Sequence, residues 1–392
     1  MYGMKYIHDY ENWWQFRYDS QKIMNELGRV RVRQGILIGR MLSLGFDAQE
    51  EAILSNMSLE LVRSSEIEGK DLNIAEVRSS IAIRLGINTA GIVPVSRYVD
   101  GVVEMLLDAT HNYASDITHD RLFGWHNVLF PAGVSGLYRI EVAKYRSGEM
   151  QVVSGPMGKE KVHYVAPSAS RVPEEMERFL VWLNNNDSTD EVLKAAIAHL
   201  WFVSIHPFDD GNGRITRALT EMLLARSEKS SKRFYSISSE IKFLQKEYYD
   251  VLERTQRGDG DITEWLLWFI RCFEKAIITS ENTLSSIISK AEFWENNRDI
   301  SFNERQRKLI NMQFDGFVGK LTSSKWAKIA KCSSDTALND INDLIKKGVL
   351  YKAAEGGRST NYRMEFWGGS TTNTVEKALT VPRMNERNAK NE

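Results

Sequence analysis

Thiols are nearly absent. Only Cys272 and Cys332 occur in 392 residues, far apart and outside any CxxC spacing. This excludes a disulfide framework and a cysteine zinc cluster, and it fits a reducing compartment. Proline is also scarce, at 7 residues, which leaves long stretches free to be helical. No apolar run approaches a membrane span. The longest, "HLWFVSI" and "EWLLWFI", have the length of buried helix segments. Charge of one sign is missing as well. The net charge is -1, so any pull toward nucleic acid or anionic lipid must be local. The opening "MYGMKYIHDYENWW" has acids and no apolar h-region, so a signal peptide is not expected. Cytoplasmic location and no membrane partner follow as expectations.

What remains is an ordinary globular mixture, 42% hydrophobic and 26% charged, long enough for two or three domains. The periodicity is helical. Residues 47–68 set Leu54, Met57, Leu61 and Val62 on one face, and Gly69 stops that helix. Residues 95–109 and 172–186 are amphipathic in the same way. "EVLKAAIAHLWFVSI" (191–205) is apolar nearly all round, which predicts a central buried helix. Helical pattern continues over 214–226, 240–256 and 261–282. One stretch departs from it. "YRSGEMQVVSGPMGKEKVHYVAP" (145–167) has short β-branched runs around "SGPMG" and reads as a hairpin. From about residue 300 the order is helix, helix, tight turn, helix, then two strands around a Gly-Gly turn. That is a winged helix-turn-helix order. After about 370 the chain is polar and reads as a loose tail.

The chemistry concentrates in "HPFDDGNGRITR", His206 to Arg217. Gly211 and Gly213 allow backbone conformations that turn successive N–H groups to one side. Such a nest at the start of a helix is an anion site, aided by the helix dipole. Arg214 and Arg217, at i and i+3, can clamp phosphate oxygens. Asp209 and Asp210 would repel a phosphate unless a cation intervenes. Mg²⁺ carried by a nucleotide supplies one. His206 titrates near neutral pH and so suits a general base. A P-loop is excluded, because G-x-x-x-x-G-K-[ST] is absent. A dinucleotide fingerprint is excluded by Thr216 in the third glycine's place. A lone "GNG" is usually a turn, and a lone buried histidine is usually structural. Base, metal carboxylate, nest and arginine fork together within one stretch favour function.

The stretch matches every position of the motif H-P-F-x-[D/E]-G-N-G-R-x-x-R, and the chain resembles the Fic family. Fic proteins mostly transfer AMP from ATP to a Ser, Thr or Tyr hydroxyl of a protein, releasing pyrophosphate. The resemblance implies His206 as the base, Phe208 as an anchor in the core and Asp210 as the Mg²⁺ ligand. Gly211, Asn212 and Gly213 would cradle phosphates. Arg214 would hold the β-phosphate side and Arg217 the γ-phosphate. The segment "SSEIEG" fits the self-inhibited subclass motif [S/T]-x-x-x-E-[G/N] at Ser64, Glu68 and Gly69. By that resemblance Glu68 pairs with Arg217 and displaces ATP from its productive pose. In some relatives the same glutamate supports removal of AMP.

The resemblance also makes the hairpin a flap, with Val162, His163 and Tyr164 as its contact edge toward the target. It makes "EYYDVLERTQRGDGDITEWLLWF" the adenine-closing segment, with Tyr249 stacking and Gln256 bonding the base edge. Tyr248 is the alternative to Tyr249, and Gln256 stands where relatives often carry asparagine. The expected fold is therefore mainly α: a Fic-type helical core with a small β-hairpin flap, plus a C-terminal winged helix-turn-helix domain. The expected divisions are 1–110 (N-terminal helices, with the inhibitory helix at about 48–69), 111–290 (catalytic core), 291–370 (winged helix) and 371–392 (tail). Expected ligands are ATP and Mg²⁺. Expected partners are a hydroxyl-bearing protein, which includes the chain itself, and a homo-oligomer. Residues 301–363 carry 12 Lys/Arg against 6 Asp/Glu, with Lys325, Lys328 and Lys331 at three-residue spacing and Arg358 in the wing. A DNA or protein partner is expected there. The rival reading is a DNA-binding regulator whose Fic core senses nucleotide or acts as a toxin-like module.

Overall fold

The computed structural model describes residues 5–88, 91–155, 159, 161–185, 188–314, 317, 319–353 and 360–364. Arg358 and the tail at 371–392 lie outside the described residues. The chain divides into two compact units, Met1–Asn282 and Thr283–Glu392. Among the described residues no helix is long and apolar enough to cross a membrane.

The first unit is helical. It contains α1 (Ser20–Leu42), α2 (Phe46–Ile67), α3 (Ile74–Leu85), α4 (Arg97–His111) and α5 (His119–Leu129). Two hairpins follow: β1 (Val134–Ser135) with β2 (Tyr138–Arg139), and β3 (Gln151–Ser154) with β4 (Lys161–Val165). Then come α6 (Val172–Asn184), α7 (Glu191–Ile205), α8 (Asn212–Glu228), α9 (Ile237–Phe243) and α10 (Gln245–Gln256). The long helix α11 (Thr263–Asn296) runs past the boundary between the units.

The all-round apolar stretch becomes α7, and every residue from Val192 to Ile205 is buried. Asp190 starts this helix by accepting from the Val192 N–H at 2.8 Å. Helices α6 and α8 pack against it, and α2, α4 and α5 pack on α8. The junction between α7 and α8 is thereby held at the centre of the unit.

Helix α2 ends by a Schellman motif. Gly69 takes φ +69, its N–H donates to Glu66 O at 3.1 Å, and Lys70 N–H donates to Ser65 O at 3.0 Å. The glycine fixes where the helix stops, and so fixes where Glu68 stands. Side chains from α9 and α10 complete this end: Lys242 Nζ also donates to Glu66 O at 2.9 Å, and Gln245 Nε2 meets one further carbonyl, Ile67 O, at 3.1 Å. Lys242 and Gln245 flank Leu244, where the backbone leaves helical geometry and divides the expected single helix 240–256 into α9 and α10.

The second unit carries α12 (Glu304–Phe314), α13 (Ser323–Ala330), α14 (Ser334–Lys346), β5 (Leu350–Lys352) and β6 (Tyr362–Met364). Thr322 and Ser333 cap α13 and α14 through their hydroxyls. Leu309, Trp326, Ile341, Leu344 and Tyr362 form the core of this unit.

Candidate active site

His206 closes α7 in the left-handed region at φ 51, and Gly211 opens α8 at φ 87. A non-glycine residue at positive φ is held there only by surrounding contacts. Arg146, 3% exposed, supplies them. Its Nε donates to His206 O at 2.8 Å, its Nη1 to Gly148 O at 2.8 Å and its Nη2 to Pro167 O at 2.5 Å. Its own N–H donates to Pro207 O at 2.9 Å. One guanidinium thus ties both feet of the β3–β4 hairpin to the loop between α7 and α8.

The His206 ring is half-buried. Its Nδ1 lies 3.2 Å from Val203 O. A carbonyl only accepts, so Nδ1 carries the proton and Nε2 keeps a free lone pair. Burial lowers the imidazole pKa from its usual value, and the nearby Arg146 charge adds to this. The Val203 bond and the charges of Glu68 and Asp210 oppose the shift without cancelling it. The ring is therefore the neutral base form at neutral pH.

Phe208 is fully buried and stacks on His126, with centroids 4.3 Å apart at 12°. Its backbone N–H donates to Asn212 Oδ1 at 2.9 Å, and Asn212 Nδ2 donates back to Phe208 O at 2.7 Å. The Asn212 side chain thus braces the loop, and only its backbone is left to face an anion. His126 accepts from Ala143 N–H at Nδ1 (3.2 Å) and donates from Nε2 to Asp210 O (3.1 Å). The Phe208→Ala variant should lose about 3–5 kcal/mol of stability, the usual cost of removing a fully buried phenylalanine. Denaturant unfolding would measure it.

Asp210 is held on all sides. Ser135 Oγ donates to its Oδ2, Gly211 N–H to its Oδ1 at 2.5 Å, and Arg214 Nη2 approaches Oδ1 at 3.3 Å. Burial alone would raise its pKa, but the Ser135 bond, Arg214 and Gly211 outweigh that and hold it below the usual value. It is ionised at neutral pH. Neighbouring Asp209 accepts from Glu141 N–H at 2.9 Å. Arg214, 2% exposed, also donates from Nη1 to Tyr98 Oη at 2.8 Å and lies over the Phe130 ring.

Arg217 is 2% exposed and engaged by the end of α2. Its Nε donates to Ser64 Oγ at 2.7 Å, and its Nη2 to Ser64 O and Glu68 Oε1, both at 2.8 Å. The Glu68 carboxylate lies against Gly213: a Cβ placed there would be 1.9 Å from Glu68 Oε1. Gly213 does not adopt positive φ. It is glycine because an oxygen approaches its backbone that closely. Gly211 has both reasons, since a Cβ there would also meet Phe130 at 2.9 Å. A carboxylate therefore occupies the first turn of α8, where the N–H groups and dipole favour an anion.

The flap residues divide. Val162 is exposed at 37%. His163 sits at the bulge of β4, its Nδ1 2.6 Å from Glu253 Oε2 and its Nε2 2.6 Å from Ser154 Oγ. The Tyr164 side chain is turned into the core, 1% exposed, with its hydroxyl donating to Ser204 O at 2.8 Å. Alternation along a strand forces this, and it removes the Tyr164 side chain from the expected contact edge. On α10, Tyr249 is 41% exposed, whereas Tyr248 is buried with its hydroxyl 3.0 Å from His199 Nε2. Burial raises the Tyr249 pKa, and the Glu68 charge raises it further. Gln256 is buried, and its Nε2 donates to Ser204 Oγ at 3.1 Å. Sequence reading did not find Arg146, His126, Ser135 or Tyr98. Each is a lone residue far from the motif, with no spacing to mark it.

Residues 116–224 match the model of the Fic/DOC family, and residues 6–87 match a domain of unknown function, DUF4172. Residues 116–224 form a Fic/DOC domain. A protein adenylyltransferase Fic of Nematostella vectensis is 25% identical over 224 residues, covering 55% of this chain and 47% of the relative. A protein adenylyltransferase Fic of Drosophila yakuba is 26% identical over 228 residues, covering 55% and 40%. The match thus spans less than half the length of either relative. Among solved structures, a Fic family protein from Desulfovibrio desulfuricans G20 superposes with TM-score 0.50 at 21% identity, over 88% of this chain and 96% of that one. That likeness concerns the fold, which is mainly helical as expected.

Asp210 suits a metal that arrives with phosphate oxygens. Among the described residues no three His, Cys, Asp or Glu side chains stand together as a ligand set. One ionised carboxylate beside an anion nest is the donor set Mg²⁺ uses with polyphosphates.

Proposed function

We propose that the Fic/DOC domain transfers AMP from ATP to a Ser, Thr or Tyr hydroxyl of a protein, releasing pyrophosphate. The observation that carries this reading is a neutral His206 with a free Nε2, near a helix start against which the Glu68 carboxylate lies. His206 takes the proton of the attacking hydroxyl. Gly211 and Gly213 receive the phosphates on their backbone, and Arg214 and Arg217 clamp the outer ones. Asp210 would hold Mg²⁺, which neutralises phosphate charge when bound. Tyr249 stacks on adenine from α10. Gln256 reaches the base edge only by leaving Ser204.

The same proposal includes inhibition from within the chain. While Glu68 holds Arg217 and fills the space over Gly213, the terminal phosphate has neither its clamp nor its room. The same proposal gives Glu68 a second role, orienting water against an AMP ester, so that removal of AMP belongs to the same site. The test uses ATP labelled on the α-phosphate, with Mg²⁺, in wild type, Glu68→Gly and His206→Ala. Label on protein that is weak in wild type, stronger in Glu68→Gly and absent in His206→Ala supports the reading. No label in any variant, with ATP still bound, sinks it.

The pH dependence follows from the His206 shift. The active form is the neutral imidazole, and its pKa is lowered. Transfer should rise with pH through a midpoint below 6.5, the ordinary histidine value, and stay flat above. Glu68 raises that pKa, so its removal should move the midpoint lower still. A pH profile of single-turnover transfer checks both.

For the second unit we infer a winged helix that serves as a partner module. Its order of three helices and two strands, with capped α13 and α14, supports this. Lys328 and Lys331 are exposed and suit phosphate contacts, but exposed Asp335 in the first turn of α14 opposes them. Binding to random duplex DNA that falls steeply with salt would favour a DNA partner, and no such binding would favour a protein.

A further inference from the structure

The Glu68 carboxylate hangs from a helix end, and helix ends fray. It reaches Arg217 only while the last turn of α2 keeps its shape. The four carbonyls from Ser64 to Ile67 stand at that end, outside the regular ladder. Each is met. Arg217 Nη2 donates to Ser64 O at 2.8 Å, and the Glu68 and Lys70 N–H groups donate to Ser65 O at 3.1 and 3.0 Å. Glu66 O accepts from Gly69 N–H and Lys242 Nζ, and Ile67 O accepts from Gln245 Nε2. The C=O of Ile67 and the N–H of Glu68 belong to one peptide unit. Gln245 therefore holds one end of the unit that carries the carboxylate, and Ser65 O holds the other.

The two side chains act as a unit, since Lys242 Nζ also donates to Gln245 Oε1 at 2.9 Å. A cation at the C-terminal end of α2 also meets the negative end of the helix dipole. Helix α9, which carries Lys242, is itself pinned. At its start Ser236 Oγ and Ser238 N–H donate to the buried Glu60 carboxylate of α2 at 2.8 and 2.9 Å, and Ser238 Oγ donates to the same carboxylate. From α11, Thr279 Oγ1 donates to Glu240 Oε1 at 2.7 Å. Helix α9 is thus a splint along the last two turns of α2. Helix α10 starts at Gln245, and Tyr249 stands one turn further along the same face. The segment that carries Tyr249 is therefore also the segment that holds the end of α2.

We propose that Lys242 and Gln245 are positioning residues for inhibition, keeping Glu68 on Arg217 by holding the Glu66 and Ile67 carbonyls. This rests on the reading of Glu68 as an inhibitor of AMP transfer. The two residues act through the backbone of α2. A fixed last turn presents the carboxylate already aimed, whereas a frayed turn must be ordered before it can pair with Arg217. The strength of inhibition is then set from α9 and α10, and not by the Glu68–Arg217 pair alone.

The test removes each donor and keeps its bulk. Lys242 and Gln245 are half-buried, and Lys242→Met and Gln245→Met preserve length and packing. Each is made in the wild-type chain and in the Glu68→Gly chain. Two quantities are measured: transfer of α-label, and affinity for an ATP analogue fluorescent at the ribose. In the wild-type chain both should rise about two- to tenfold, the worth of one hydrogen bond. In the Glu68→Gly chain neither should change, because the residue being positioned is gone. Lys242→Arg keeps a cationic donor and should stay near the wild-type rate. Gln245→Glu keeps the side-chain shape but turns an acceptor toward Ile67 O, and it replaces a methionine variant that fails to fold by circular dichroism. No rise in the wild-type chain, while Glu68→Gly is activated, overturns the proposal. So does an equal change in both backgrounds, which is what a merely structural role would give. If Glu68→Gly transfers no label, the chemistry falls and affinity alone decides. Affinity raised by the methionines in the wild-type chain and unchanged by them in Glu68→Gly keeps the positioning role, and any other pattern sinks it.

Discussion

The Glu68→Gly variant is expected to label protein with AMP roughly a hundredfold faster than wild type. The magnitude follows from geometry: displacing a reacting group by about 1 Å can cost roughly a hundredfold. In the resting chain three donors of Arg217 are engaged by Ser64 and Glu68 at 2.7 to 2.8 Å, and the carboxylate sits on the backbone of Gly213. In the proposed mechanism ATP competes with a tethered anion for a buried cation. Removing the carboxylate leaves Arg217 buried with one fewer partner, a state that a phosphate relieves. The gain should therefore show in ATP affinity and in single-turnover rate together. Glu68→Gln retains the shape of the side chain and loses its charge, so it should fall between the two. Equal rates in wild type and Glu68→Gly, with equal unfolding midpoints, would remove the inhibitory role.

Removing the base is the opposite experiment. In the Glu68→Gly background, His206→Ala should lower transfer by about 10²–10⁴-fold, the usual contribution of a positioned general base. Binding of ATP should be little affected, because the proposed mechanism sets His206 toward the target hydroxyl and leaves the phosphates to α8. The loss should appear in the rate of the chemical step and leave nucleotide affinity in place. A variant that still transfers at the parent rate would show that the proton leaves by another route. His206→Asn is a useful companion. It tolerates the left-handed backbone at φ 51 better than alanine, so it separates loss of the base from loss of the loop.

Much of this site is legible without a structure. Twelve consecutive residues hold the base, the carboxylate, the glycines and the arginine fork, because a helix N-terminus and the loop before it are local objects. The buried helix before them is legible from its all-round apolarity, and α7 runs over the residues that pattern marks. The end of α2 is legible from one glycine. Local rules reach these features because each depends on neighbours within a turn or two.

Other features were decided by packing between distant segments. The pairing of Glu68 with Arg217 joins residues 149 apart, and the resemblance to a family suggested it before any spacing did. The clamp of Arg146 on His206, Gly148 and Pro167 leaves no trace in sequence order. Gly213 was read as part of a phosphate cradle, and the structure adds a close approach to its backbone. Only the arrival of the Glu68 oxygen decides that. Tyr164 was read as a surface contact and is a core residue, because the register of β4 against β3 sends its side chain inward. The sequence by itself determined which chemical groups the catalytic loop carries and which helices flank it. The tertiary structure decided which groups meet, since hydrogen bonds and close contacts act over about 3 Å while chain separation along the sequence sets no limit on them.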